Sequence, residues 1–179
     1  MAIGYVSLPG RGRTDALLVE VVWELELAGL RLAGTVQTNP TRSDRTRCDM
    51  DLRVLPGGPV LRISQDLGEG GRGCRLDGGV LETGVLEVGR RLEGASLLVV
   101  NKFGKQEAAG RGFASVIGEA LARGLPVLVG VNGLNLETFL AFAGGLAAPL
   151  PPEPRGVVAW ALGAARSTSI ECNREIGRA

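Results

Sequence analysis

Asn101, Lys102, Lys105 and Glu107 fall within seven residues, directly after the apolar run Leu97-Leu98-Val99-Val100. An amide, two ammonium groups and a carboxylate at that spacing can hold an oxyanion, orient a water molecule or move a proton. Lys102 and Lys105 are the chain's only lysines, against eighteen arginines, which concentrates that side-chain type in one place. No histidine occurs anywhere, so Ser-His-Asp and Cys-His catalysis and histidine-ligated metals are excluded. Carboxylates, thiols, lysine and backbone groups remain, and Glu107 and Lys102 are the catalytic candidates. Glu107 also has a plain structural reading, because a carboxylate near a helix N-terminus complements the helix dipole.

A second segment has the composition of a phosphate cradle. Ser7-Leu8-Pro9-Gly10-Arg11-Gly12-Arg13-Thr14 aligns with the pattern G-x-x-x-x-G-K-[ST], in which backbone N–H groups surround phosphate oxygens, a lysine neutralises them and a hydroxyl meets magnesium. Gly12 and Thr14 keep the pattern, whereas serine replaces the first glycine and Arg13 the lysine. Gly10 and Gly12 would let backbone approach the ligand, Arg13 and Lys102 would add charge with Lys105 beside them, and Thr14 and Asn101 would fix water or ligand oxygens. A nucleotide hydrolase normally ends a buried strand on a magnesium-holding aspartate, often followed by a water-positioning carboxylate. Asn101 and Lys102 stand there instead. An amide is a poor charge partner for magnesium and a protonated lysine is no base, so hydrolysis is expected to be weak or absent.

A third candidate is a pair of thiols. Cys48-Asp49-x-Asp51 and Cys74-Arg75-x-Asp77 repeat a Cys-polar-x-Asp pattern that could hold a soft metal or an oxo-metal centre through Cys48 and Cys74. The alternative is that each cysteine is a small buried apolar residue. The three cysteines, including Cys172, form no C-x-x-C pair, which argues against structural zinc or a disulfide framework. Ser64-Gln65-Asp66 reads as a turn or helix cap rather than a site.

The elements that must position these residues follow from periodicity. Ile3 to Leu8 reads as a strand, Pro9 to Gly12 as a glycine loop, and Thr14 to Ala28 as a helix closed by Gly29. Leu30 to Thr38 is the next strand. Asp49 to Leu55 and Val60 to Ser64 flank Pro56-Gly57-Gly58-Pro59 as a hairpin. Gly68 to Gly79 carries six glycines and reads as a loop, either mobile or close to a ligand. Val80 to Leu92 is helical, Leu97 to Val100 a buried strand, Gly110 to Arg123 a helix, Pro126 to Gly130 a strand and Leu134 to Phe142 a helix. A connector at Pro149 to Pro154 precedes a last helix at Val157 to Ala165 and a tail from Ser167. Strand–helix alternation predicts a three-layer α/β fold with a mainly parallel sheet and an inserted β-hairpin.

With 179 residues and a net charge of +1, the chain suits one domain and lacks a general footprint for nucleic acid or anionic membrane. The basic cluster between Arg42 and Arg47 reads as a solvated loop. No apolar run approaches the roughly 20 residues that span a bilayer, and no leader pattern is visible, so the expected location is the cytoplasm.

The segment Asn101 to Glu107 resembles the Asp-Glu-x-Gly-x-x-Glu segment of the P-loop nucleoside-triphosphatase-like proteins first described from thermophiles. It matches at Gly104 and Glu107 and departs at both leading carboxylates. The chain more closely resembles a bacterial family of unknown function that shares this degenerate core over about Ala2 to Ala165. The strings Gly34-Thr35-Val36-Gln37, Cys48-Asp49-Met50-Asp51-Leu52, Ile63-Ser64-Gln65-Asp66-Leu67-Gly68, Gly73-Cys74-Arg75-Leu76-Asp77, Gly110-Arg111-Gly112 and Ala141-Phe142-Ala143-Gly144-Gly145 carry it. The resemblance implies a P-loop NTPase-like domain over residues 1–166 with a C-terminal tail at 167–179. Because members are often encoded beside molybdate-transport genes, it also implies an accessory role in molybdenum handling. The expected function is binding of a nucleotide, ATP or GTP with magnesium, or of another oxyanion. The alternatives are a non-catalytic molybdate-handling protein and a regulatory interaction module whose pocket has collapsed.

Overall fold

The computed structural model describes residues 2–41, 48–66 and 75–176, with side chains as far as residue 167. The first elements are β1 (Ile3–Val6), α1 (Arg13–Leu27), β2 (Leu32–Thr38), β3 (Asp51–Leu55) and β4 (Val60–Arg62). They are followed by α2 (Gly78–Gly89), β5 (Leu97–Phe103), the one-turn α3 (Lys105–Ala108), α4 (Ala114–Ala122) and β6 (Val127–Val131). A 3₁₀ turn at Gly133–Asn135, α5 (Leu136–Ala143), β7 (Ala147–Pro149) and α6 (Pro154–Ile176) complete the chain.

Among the described residues, seven strands form one sheet in the order β4-β3-β2-β5-β6-β1-β7. β2, β5, β6, β1 and β7 run parallel, while β3 is antiparallel to β2 and to β4. The expected hairpin therefore does not stand apart from the sheet but extends it. The carboxyl ends of β1, β2, β5 and β6 share one edge, the place where an open parallel sheet receives ligands.

Alternation along the strands sorts the core into two layers. Val6, Leu32, Val36, Leu97, Val99 and Leu128 face α1 and α6, where Leu18, Val21, Val22, Leu25, Val157 and Ala161 cover them. Ala33, Val54, Leu98, Val100, Val127 and Val129 face the other side, under Val85 and Val88 of α2, Ile117 and Ala120 of α4 and Phe139 of α5. Each such aliphatic side chain removed from water contributes about 1.5–3 kcal/mol. Tyr5 and Phe103 clasp Phe139 edge-on at ring separations of 5.3 and 5.2 Å, which docks α5 against both β1 and β5. On the opposite side α6 lies so close to β1 that a Cβ on Gly4 would sit 2.7 Å from Trp160.

Four expectations need correction. β5 continues through Asn101 and Lys102 to Phe103, so those two residues lie inside the strand, with a register irregularity against β6 between Val100 and Phe103. The helix expected from Gly110 is interrupted: α3 ends at Ala108 and α4 starts at Ala114. The short strand β7 occupies a stretch expected to be connection only. The final helix starts at Pro154 and its backbone runs on to Ile176, through much of the expected tail. Within the expected glycine-rich loop, residues 67–74 lie outside the described residues. Leu76 pairs with Ser64 in an antiparallel bridge, and Asp77 caps α2 by accepting from Val80 N at 3.0 Å.

Candidate functional site

Loop 7–12 leaves β1 and turns into α1 through Gly10 and Gly12, whose φ angles of 97° and 74° suit glycine alone among common residues. Gly12 is the N-cap of α1, so the free N–H groups of the helix's first turn lie beside the loop. Arg13 is exposed. Its stem folds back across the loop, with Cδ 3.0 Å from the point where a Cβ on Gly10 would stand. The Thr14 hydroxyl accepts from Leu8 N at 3.2 Å and thereby ties the two ends of the loop together.

Asn101 lies across from this loop, only 2% exposed. Its Oδ1 accepts from Gln37 N at 2.9 Å and its Nδ2 donates to Asp15 Oδ1 at 2.9 Å. Asn39 Nδ2 donates to the other Asp15 oxygen at 2.9 Å, and Asn39 in turn accepts from Gln37 Nε2 at 2.8 Å. One carboxylate is thus held by two amides that come from β5 and from the end of β2. A nucleotide hydrolase usually has a metal ion between the loop hydroxyl and the strand-end aspartate. Here the carboxylate has moved to α1, the strand supplies an amide, and the pair is satisfied by hydrogen bonds alone. Asp15, Asn39 and Gln37 were not among the residues singled out as site candidates in the sequence. The available signals were Asp15's place next to Thr14 and Asn39's place at a strand end.

Lys102 and Lys105 point to a different part of the same edge. Both are exposed and, among the described residues, neither makes an ion pair. They line a cavity of about 480 Å³ that opens on the α2 and α3 side of the sheet and that no residue of the glycine loop lines. Glu107 also borders it, 4% exposed. Its Oε2 accepts from Gly104 N at 2.9 Å and its Oε1 from Phe113 N at 3.1 Å, so both oxygens already serve backbone donors. This clamp joins the start of α3 to the start of α4.

Cys48 is a free, half-buried thiol, and Cys74 lies outside the described residues. The polar members of the two Cys-polar-x-Asp strings are occupied structurally. Arg75 Nη1 donates to the Cys48 carbonyl at 3.0 Å, and Arg62 pairs with the buried Asp49 at 3.2 Å and with Asp51 at 2.9 Å. The Asp51 hydrogen bond and charge raise the Arg62 pKa further above its ordinary value, with a smaller contribution from Asp49. Among the described residues, no group of three or more Cys, Asp or Glu side chains gathers where it could hold a metal ion.

Strand order, glycine loop and polar strand end together give the chain a P-loop NTPase-like α/β fold. The same architecture occurs in the crystal structure of THEP1 from the hyperthermophile Aquifex aeolicus, which aligns with a TM-score of 0.60 over 87% of this chain and 91% of that one at 14% identity. The chain belongs to the family described as "Protein of unknown function (DUF2478)", whose model matches residues 3–160. It is also similar to the "Molybdenum import ATP-binding protein ModC 2" of Bradyrhizobium diazoefficiens, with 35% identity over 147 residues. That match takes in 82% of this chain but only 16% of the relative's length.

Proposed function

We propose that this chain binds the phosphate groups of a nucleotide, or an oxyanion of similar shape, at the loop between Gly10 and Thr14 and does not hydrolyse what it binds. The observation that carries the proposal is the network around Asp15. Positive-φ glycines and a helix N-terminus favour an anion at the loop, while the groups that would hold magnesium and activate water are absent or engaged. Asn101 gives both ends of its amide to Gln37 and Asp15, and Glu107 gives both oxygens to backbone N–H groups. Arg13 supplies the loop's mobile positive charge. In this reading Glu107 is a clamp rather than a base. ATP or GTP is the nucleotide to test first, with magnesium carried by the nucleotide's own phosphates, since the strand end offers the amide of Asn101 in place of a carboxylate.

A second reading rests on the relative whose name refers to molybdenum import. In it the ligand at the same loop is molybdate, in keeping with the expected association with molybdate-transport genes, and Cys48 and Cys74 belong near the site. Thermal unfolding of the full chain with ATP, GTP, phosphate, molybdate or tungstate, each with and without magnesium, separates these readings. A ligand at a hundred times its dissociation constant stabilises the native state by about 2.7 kcal/mol. Stabilisation by a nucleotide that disappears in Arg13→Ala, with no nucleotide turnover, is the expected result. Selective stabilisation by molybdate, lost in Cys48→Ser, would favour molybdenum handling. No shift with any ligand would assign the fold to an interaction module with a closed loop.

A further inference from the structure

The cavity on the α2 and α3 side of the sheet is lined by no residue of the glycine loop, although Gln37 and Asn101 stand between the two, and it has the features of a site of its own. Its volume of about 480 Å³ lies within the ordinary range for small-molecule pockets. The floor is apolar, formed by Leu52, Ile63, Leu81 and Phe113, all buried. Thr35, also at the wall, is fully buried, and among the described residues its Oγ1 has no hydrogen-bond partner. A buried hydroxyl without a partner is costly, and a polar group reaching it through the cavity would offset that cost. The mouth is different. Lys102, Lys105 and Arg111 are exposed there, beside Leu134, which is 95% exposed. Among the described residues the only lining carboxylate, Glu107, already accepts from two backbone N–H groups. Three cations against that one engaged carboxylate leave the lining with a net charge of +2.

We infer that this cavity is a second binding site, for a small organic anion with an apolar body and a hydrogen-bonding group at the end remote from its charge. The anionic end meets Lys102 and Lys105 at the mouth, the body lies over Leu52, Ile63, Leu81 and Phe113, and the inner polar group meets Thr35 Oγ1. The anion is a carboxylate or a phosphate monoester, which share this recognition. Site and ligand are independent of whether the glycine loop binds nucleotide.

The test is fluorescence titration of the full chain with three probes: 6-hydroxy-2-naphthoate, 2-naphthoate and 2-naphthol. Saturable binding is expected, with 6-hydroxy-2-naphthoate about tenfold tighter than 2-naphthoate or 2-naphthol, each of which keeps only one of the two polar contacts. Lys102→Ala combined with Lys105→Ala should weaken both naphthoates about tenfold and leave 2-naphthol unchanged. Both side chains are exposed, so folding should not suffer. Thr35→Val, of equal shape, should abolish the preference for the hydroxylated probe while keeping or raising the melting temperature. A parallel titration with 2-naphthyl phosphate tells the two anion classes apart by which binds tighter. Equal binding of all three probes, insensitivity to the double lysine variant, or no saturable binding would overturn the proposal. So would displacement of the naphthoates by ATP together with loss of their binding in Arg13→Ala, since a single site would then explain both ligands.

Discussion

Asn101 decides what the strand edge can do. A carboxylate there would face Asp15 across the 2.9 Å now spanned by an N–H donor, and two charges about 4 Å apart repel by about 4 kcal/mol at an effective dielectric constant of 20. Asn101→Asp should therefore lower stability by roughly 2–4 kcal/mol in the absence of divalent cations, a fall of about 5–15 °C in Tm for a chain of this size. Millimolar magnesium should restore most of it, because two carboxylates and the neighbouring Thr14 hydroxyl would make an oxygen site of the kind magnesium prefers. Calorimetry with and without magnesium checks this, and an unchanged Tm in both conditions would refute the account of the amide network. Asn101 could be picked out in the sequence because an amide following four apolar residues is conspicuous. Asp15 could not. A carboxylate in the first turn of a helix is ordinary, and its partner lies 86 residues away.

At the level of elements, the break between α3 and α4 shows how a buried carboxylate can work as a joint. Glu107 satisfies Gly104 N and Phe113 N, and the turn between them passes so close that a Cβ on Gly112 would overlap Glu107 Oε1. Gly112→Ala should expel the carboxylate and cost roughly 1–3 kcal/mol, the usual penalty for leaving buried polar groups unmatched. Faster amide exchange at Gly104 and Phe113 should accompany the loss. Normal exchange at both positions would show that the clamp is dispensable. Apolar periodicity across Gly110 to Arg123 suggested one continuous helix, because it registers buried faces and not the local hydrogen bonds that end a turn. β7 was hidden for the opposite reason. Ala147, Ala148 and Pro149 have little strand character of their own, and they pair because β1 offers a free edge to them, with Leu150 N donating to Tyr5 O at 2.9 Å. β6 and the apolar first four residues of β5 were legible because burial on both faces leaves an unbroken apolar run, and β2 through its β-branched residues, whereas the polar end of β5 was not.

For the molecule as a whole, the pairing of β2 with β5, which ties β2 and the hairpin beyond it to the remaining parallel strands, is the critical seam, and it passes through Gly34. This residue has φ of 123°, and a Cβ there would overlap the Val99 carbonyl oxygen and lie 2.7 Å from Val99 N. Those are backbone atoms in the middle of a buried sheet and cannot move aside. Gly34→Ala should therefore disrupt the pairing of β2 with β5 and cost several kcal/mol, beyond the 1–3 kcal/mol of a typical overpacked side chain. Loss of the cooperative unfolding transition, or failure to recover folded protein, is the expected result, and a wild-type Tm would contradict it. The two borders of this sheet carry a consequence of another kind. β4 and β7 are three residues long; one ends in Arg62, engaged with Asp51, and the other in Pro149, which has no N–H to offer. Among the described residues, a foreign strand arriving at either border finds almost no ladder to extend, which is how a sheet with open edges is kept from pairing edge to edge with its copies.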